Sequence, residues 1–212
     1  MYYYILGAVI IGMLLWTIGS YAVVWTIEEP AYTVLEKKDG YEIRKYAPYI
    51  KAETVVSGSY DEATNQGFRI IADYIFGNNA RRESISMTTP VLESPQISQS
   101  EKIAMTVPVL ESSSETATRM IAFVLPSKYA IDTLPTPNNS AVKLTSVPAR
   151  TVAALRYTWY PTETRTIAKK DLLKRYLSRD NYIIIGAIET ARYNPPFSMP
   201  LTLRNEIIIP IE

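Results

Sequence analysis

The sequence predicts an α+β domain behind a single apolar helix. Three observations carry this. Residues 2–27 contain no charged side chain. Beyond them, runs that alternate apolar and polar residues are interrupted twice by stretches with apolar residues at helical spacing. The resulting order is strands, helix, strands, strands, helix, strands. It does not alternate one for one, which argues against a doubly wound parallel sheet and for two similar halves facing one another.

The uncharged run has Ile5–Trp25 as its core. At about 1.5 Å per residue its 26 residues reach ~39 Å, whereas a bilayer core needs ~20 residues. Tyr2, Tyr3 and Tyr4 lie at one end and Tyr21 and Trp25 at the other, like the two aromatic belts of a spanning helix. Gly7, Gly12 and Gly19 are not spaced as a GxxxG dimer motif. A buried soluble helix of this length would need a polar face. A cleaved signal peptide is the sharper alternative, with Ser20-Tyr21-Ala22 as a passable cleavage site. Yet no Lys or Arg precedes the run, and it continues past Ala22. We therefore expect a retained single-pass anchor over residues 1–27. Residues 28–30 form a short linker, and 31–212 one domain. Counting only basic residues (Lys37, Lys38, Arg44, Lys45 after the run) places the domain on the cytoplasmic side.

Within the domain, Tyr32–Lys37 reads as a strand, Asp39-Gly40 as a hairpin turn and Tyr41–Tyr46 as its partner. After Pro48, Tyr49–Ser57 is a third strand. Ser59-x-x-Glu62 is a capping box. The helix it opens carries Tyr60, Ala63, Gly67, Ile70, Ile71, Tyr74 and Ile75 on one stripe and ends at Gly77-Asn78-Asn79. Gly67 on that stripe lets the helix approach a sheet closely. Thr118–Leu125, Val142–Val147, Arg150–Thr158, Tyr182–Thr190 and Glu206–Ile211 are expected strands, and residues 126–139 are expected to be irregular. Pro161–Arg179 is the second helix. Its apolar side is Ile167, Ala168, Leu172, Leu173, Tyr176 and Leu177; Lys169, Lys170, Lys174 and Arg175 lie toward the other side.

Two near copies of one nonapeptide follow the first helix. Ile85–Glu93 (ISMTTPVLE) and Ile103–Glu111 (IAMTVPVLE) agree at seven of nine positions. Both are β-rich with proline at the same place. Proline has no ladder donor, so each copy must be an edge, a strand end or a bulge there.

Composition excludes several chemistries. The 212 residues include no histidine and no cysteine. Cys/His zinc sites, iron–sulfur clusters, disulfides, covalent c-type haem, cysteine nucleophiles and Ser-His-Asp triads are all impossible. A net charge of +1 argues against a general nucleic-acid binder.

Five segments, in order, carry a family resemblance: Tyr41–Tyr46 (YEIRKY), Ser59–Ala63 (SYDEA), the two Met-Thr-x-Pro-Val segments, Tyr193–Pro196 (YNPP) and Arg204–Glu206 (RNE). Together they resemble the SOUL haem-binding protein family over about residues 31–212. The resemblance implies a distorted β-barrel-like sheet of two pseudo-symmetric halves, each with one helix packed outside, similar to small-molecule effector-binding domains. It implies non-covalent binding of haem or another tetrapyrrole in an apolar groove along the first helix of the domain, basic residues meeting the propionates, and no catalytic constellation. On the matching helix this chain has Asn65, Ala72 and Asp73 where long apolar or basic side chains are implied. In the Tyr-x-Pro-Pro loop it has Phe197 and Ser198. Arg69, Arg81 and Arg82 are the candidate substitutes. The resemblance does not extend to the anchor.

With no His or Cys, only Met, Tyr or Lys could ligate iron. Met87 and Met105 are the candidates, although Met beside Thr and Val in a β segment is more often core. Glu42/Arg44 and Arg204/Glu206 read as a structural ion network rather than an acid/base pair, since no nucleophile or metal cluster accompanies them. The basic side of the second helix reads as solvated, with contact to anionic lipid as an alternative. Most of the 16 tyrosines are expected to be half-buried with wet hydroxyls. The reading is thus a membrane-tethered, non-enzymatic tetrapyrrole binder with an open apolar concavity. The alternative is a tethered module for another small apolar ligand or a protein partner.

Overall fold

The computed structural model describes residues 2–25, 27–81, 84–86, 88–95, 117–195 and 197–212. An apolar helix, α1 (Tyr2–Trp25), leads into β1 (Tyr32–Lys38), β2 (Tyr41–Tyr46), β3 (Tyr49–Gly58), α2 (Tyr60–Ile75), β4 (Val91–Pro95), β5 (Ala117–Val124), β6 (Lys143–Val147), β7 (Arg150–Tyr157), α3 (Glu163–Arg179), β8 (Glu189–Arg192) and β9 (Asn205–Pro210). The described strands form one antiparallel sheet in the order β1-β2-β7-β9-β8-β4-β5-β3-β6.

The order contains its own symmetry. The chain runs β3-α2-β4-β5 in one half and β7-α3-β8-β9 in the other, and the halves meet where β4 pairs with β8. Each half takes its outermost partner from the other stretch of chain: β6 flanks β3, and β2 flanks β7. Two-residue connections, Ala47-Pro48 and Pro148-Ala149, join β2 to β3 and β6 to β7. They draw the two ends of the sheet together, so that the Tyr46 and Tyr49 rings approach to 6.5 Å and Arg150 donates to the Tyr49 hydroxyl. The sheet curls like a barrel but stays open, with β1 and β6 as its edges.

Strand alternation sorts side chains to two faces. The outer face carries the helices. Ala52, Val56, Ile121 and Phe123 meet Ala63, Ile71, Tyr74 and Ile75 of α2. Tyr41, Ile43, Ala153, Leu155, Ile207 and Ile209 meet Leu173 and Leu177 of α3. The inner face is closed by Tyr46, Leu92, Ala122, Val124, Val152, Ala191, Tyr193 and Ile208, all buried. The expected open concavity is therefore filled by the chain's own side chains at its floor.

The local signals explain α2. The Glu62 carboxylate accepts from both the Ser59 backbone N–H (3.3 Å) and the Ser59 hydroxyl (2.7 Å), which holds its pKa below the usual carboxylate range. Gly77 sits at φ +115° just past the helix end, in the left-handed region that favours glycine. Gly40 does the same in the β1–β2 turn at φ +90°. At the start of α3 the Thr162 side chain accepts from the Arg165 N–H. Replacing Thr162 with alanine should cost about 1 kcal/mol, read as a lower midpoint in urea denaturation.

Four expectations need correction or refinement. The buried residues of α3 are Thr166, Leu173 and Leu177, while Ile167 is 52% exposed and Ala168 is also exposed. The stripe is rotated because the Thr166 hydroxyl meets the Tyr60 and Tyr157 hydroxyls under the helix. Lys170, placed on the solvated side, is half-buried, and burial lowers its pKa. Tyr182–Ile188 is not a strand: β8 begins at Glu189, and only an isolated bridge joins Ile184 to Ile211. The neighbouring segment has Pro210, which accepts from the Ile185 N–H but has no N–H to return. Finally, six tyrosines (41, 46, 60, 74, 157 and 193) are buried rather than half-buried. Tyr41, Tyr74 and Tyr193 donate to Asp180, the Pro135 carbonyl and Glu206 instead of to water. Burial pushes Tyr74 up to about 12.

Pro90 precedes β4, so the first nonapeptide places its proline at a strand end, as expected. The second copy, Ile103–Glu111, lies outside the described residues.

Candidate functional site

The helical period gathers several of the candidate residues. Asn65, Phe68, Arg69, Ala72 and the C-cap residue Phe76 are linked by three- and four-residue spacings (65/68, 65/69, 68/72, 69/72, 72/76), which sets them along one flank of α2. Asn65 and Arg69 are exposed, and the Arg69 Nε donates back to the Asn65 carbonyl (3.3 Å). Phe68 leans on the buried Phe123 ring, 5.1 Å between centroids, and still exposes part of its surface. Phe76, two turns on, is largely exposed. Ala72 lies between them and is small and buried, so the flank has an aromatic at each end and a saddle in the middle.

Asp73 lies farther round the helix. Its carboxylate accepts from the Asn78 side chain and its carbonyl from the Asn78 N–H, which fixes the helix end rather than the flank. Arg81 follows the helix. It is exposed and donates from Nη1 to the Thr133 carbonyl (3.2 Å). Arg82, Met87 and Met105 lie outside the described residues. Phe68 and Phe76 were not among the candidates. Their signal was present: both are large aromatics off the buried stripe of an amphipathic helix.

These residues fit a flat apolar group with anionic substituents. The saddle supplies aromatic and aliphatic surface, and Arg69 supplies a cation. Among the described residues, no group of three or more His, Cys, Asp or Glu side chains could hold a metal ion.

The charged pairs read from the sequence meet in one buried network on the inner face. Glu206 is 0% exposed. It accepts from Arg44 Nη1 (2.7 Å), Arg44 Nη2 (3.3 Å), Arg204 Nε (3.0 Å) and the Tyr193 hydroxyl (2.9 Å). Arg44 also bonds Glu42, and Arg204 bonds Glu29 of the linker. Burial alone would raise the Glu206 pKa; the hydrogen bond from Arg44 and the charges of Arg204 and Arg44 outweigh it, and the carboxyl titrates below its usual range. Each cation has an acid of its own, so the network is a structural brace.

Two clefts open at the rim of the inner face. One, of about 360 Å³, lies between the linker with the following Ala31 and the start of β3, with Tyr49, Val124, Leu125 and Tyr129 among its walls. Glu28 closes one side: its carboxylate accepts from the Ser127 N–H and its carbonyl from the Thr89 N–H. The other, of about 370 Å³, is polar and includes Lys37, Lys38, Arg44, Arg156 and Arg204. Neither is lined by a residue of α2.

An open, curled antiparallel sheet with two helices outside defines a known class of α+β domain. The C-terminal domain of EcmrR has it, with a TM-score of 0.57 at 9% identity over 85% of this chain and 98% of that one. A protein described as a hydrolase from Listeria innocua matches with a TM-score of 0.51 at 9% identity over 84% and 94%. At such identities the likeness is one of fold. The sequence is more specific. The profile described as SOUL heme-binding protein matches residues 27–101 and 94–210, and the chain belongs to that family. No curated protein sequence matches it.

Proposed function

We propose that this protein binds haem or another tetrapyrrole non-covalently, on the flank of α2, while tethered to a membrane by α1. The family match across residues 27–210 carries this reading. The Phe68–Ala72–Phe76 saddle supports the placement, because a porphyrin face is flat and apolar. Arg69 on the flank is the first candidate cation for the propionates, and Arg81 and Arg82, which follow the helix in sequence, are the others. Without His or Cys, the described residues assign no axial ligand; the grip is apolar contact plus ion pairing, and the role is holding rather than catalysis. The tether rests on a 24-residue uncharged helix whose apolar side chains from Ile5 to Ile18 are exposed. The basic residues that follow it (Lys37, Lys38, Arg44, Lys45) support a cytoplasmic domain in this reading.

Hemin titration of the full chain in lipid nanodiscs tests this. A saturable Soret shift without a bis-His spectrum is expected at micromolar protein. Phe76→Asp, at an exposed position, should weaken binding by roughly tenfold, or ~1.4 kcal/mol. Arg69→Ala with Arg81→Ala should weaken it several-fold. Absence of any saturable shift would refute the proposal.

One observation favours a second reading, in which the occupant is another small apolar ligand. The 360 Å³ cleft under the linker is of ligand size and lies away from α2. Binding that survives Phe76→Asp but is lost on Ser146→Trp, at the rim of that cleft, would move the site there.

A further inference from the structure

We propose that the loop Phe197–Leu203 and the turn at Trp159-Tyr160 enter the bilayer beside α1, so that the domain sits on the membrane in one fixed pose rather than swinging on a tether. This rests on α1 lying in a membrane and adds a second, non-helical contact to it.

The Trp16 Nε1 donates to the Phe197 carbonyl (3.0 Å), the Thr17 hydroxyl approaches the Met199 sulfur (2.8 Å), and the Met199 N–H donates to the Ser20 hydroxyl (2.9 Å). With Tyr4 at one headgroup boundary, these contacts lie about 18–24 Å along the helix at 1.5 Å per residue. A hydrocarbon core is ~30 Å thick. The loop is thus fastened to α1 at a level still inside the far leaflet. Lipid must meet whatever the loop exposes there.

What it exposes is apolar. Phe197 is 68% and Leu201 60% exposed. The adjacent Trp159 and Tyr160 are also exposed, and Trp159 is held at φ +78°, a backbone region that bulky residues rarely enter. Its N–H donates to the Pro200 carbonyl and its carbonyl accepts from Asn205 Nδ2, which pins this turn to the loop. Exposed Trp and Tyr joined to exposed Phe and Leu give the composition of a membrane-facing surface.

Non-helical backbone at that depth needs internal partners for its polar groups, and much of the loop has them, although the buried Ser198 hydroxyl has none. The Ser198, Thr202 and Leu203 N–H groups donate to the Pro195, Met199 and Pro200 carbonyls. The Thr202 hydroxyl donates to the Met199 carbonyl. Pro200 has no N–H to satisfy. On α1 the Thr17 and Ser20 hydroxyls donate back to the Met13 and Trp16 carbonyls.

The chain has no cysteine, so single-cysteine variants take one label each. The full chain is reconstituted in phosphatidylcholine vesicles with an environment-sensitive fluorophore at Ile10→Cys, Phe197→Cys, Leu201→Cys or Ser178→Cys. Ser178 is exposed and lies about 24 Å along α3 from Thr162, the end nearer this turn. Lipids with a nitroxide on the acyl chain serve as quencher. Loss of fluorescence at positions 10, 197 and 201, with position 178 unaffected, is expected. Quenching at 10 with 197 and 201 behaving like 178 overturns the inference and leaves the anchor standing. No quenching at 10 overturns the anchor, and the inference with it.

Discussion

Glu206→Gln should destabilise the full chain by roughly 3–5 kcal/mol at pH 7, seen as a lower urea midpoint with an unchanged slope. The amide keeps the shape but removes the one negative charge shared by Arg44 and Arg204 on the inner face. Glu42 and Glu29 remain as second partners, which points to the lower end of that range. The cost belongs to the stranded cations rather than to the lost carboxylate. The double variant Glu206→Leu, Arg44→Met should therefore recover most of it, since Arg204 still has Glu29. Acid should separate the variants too. The folded Glu206 titrates below its unfolded value, which is about 4.3. Its contribution is complete above the unfolded value and is lost as pH falls through the folded one. The gap between wild type and Glu206→Gln should then close in acid. A gap within ~0.5 kcal/mol of zero at pH 7, the size expected of an ordinary surface change, would show that the network is not a brace.

Much of this fold was legible because its punctuation is local. Ser59-x-x-Glu62, Gly77, Asp39-Gly40 and the alternation of Tyr41 and Ile43 each state their own geometry within a few residues. The ion network was legible in part: Glu42/Arg44 and Arg204/Glu206 were read as structural pairs. Their convergence on one buried carboxylate depends on β2, β7 and β9 lying side by side, which the sequence does not spell out. The same limit hid the rotation of α3. Its stripe is set by the hydroxyls of Tyr60 and Tyr157, which come from elsewhere in the chain, so a polar Thr166 displaces the apolar Ile167 from the interface. Tyr182–Ile188 looked like a strand because Ile183, Ile184 and Ile185 are β-formers, and a partner proline decided otherwise. The α2 flank was half legible. Its polar positions came from the family resemblance, whereas Phe68 and Phe76 stand out only when the buried stripe is known.

Gly67→Ala tests whether α2 sits where the flank needs it. In an ordinary helix interior the change stabilises by about 1 kcal/mol, because glycine forfeits backbone entropy. Here a Cβ would stand 2.5 Å from Ile121 Cγ1 and 2.7 Å from its Cβ, and Ile121 is itself fully buried on β5. Neither atom is the loose end of a flexible chain, so the helix must lift off the sheet or Ile121 must leave its rotamer. Overpacking of this kind costs about 1–3 kcal/mol, and the sign of the substitution should reverse to a net loss in chemical denaturation. Ile121→Ala alone opens a cavity and costs roughly 2–5 kcal/mol. Combined with Gly67→Ala, part of that cavity is filled by the new methyl, so the two losses should fall short of additive by at least ~0.5 kcal/mol. A stabilised Gly67→Ala would mean that α2 rides higher than 2.5 Å allows. It would also remove the lean of Phe68 on Phe123, since both contacts depend on the same separation of helix and sheet. The effect on hemin should follow: a lifted helix carries Phe68, Ala72 and Phe76 with it as one body, so binding on that flank should weaken less than stability does, whereas Phe76→Asp should do the opposite.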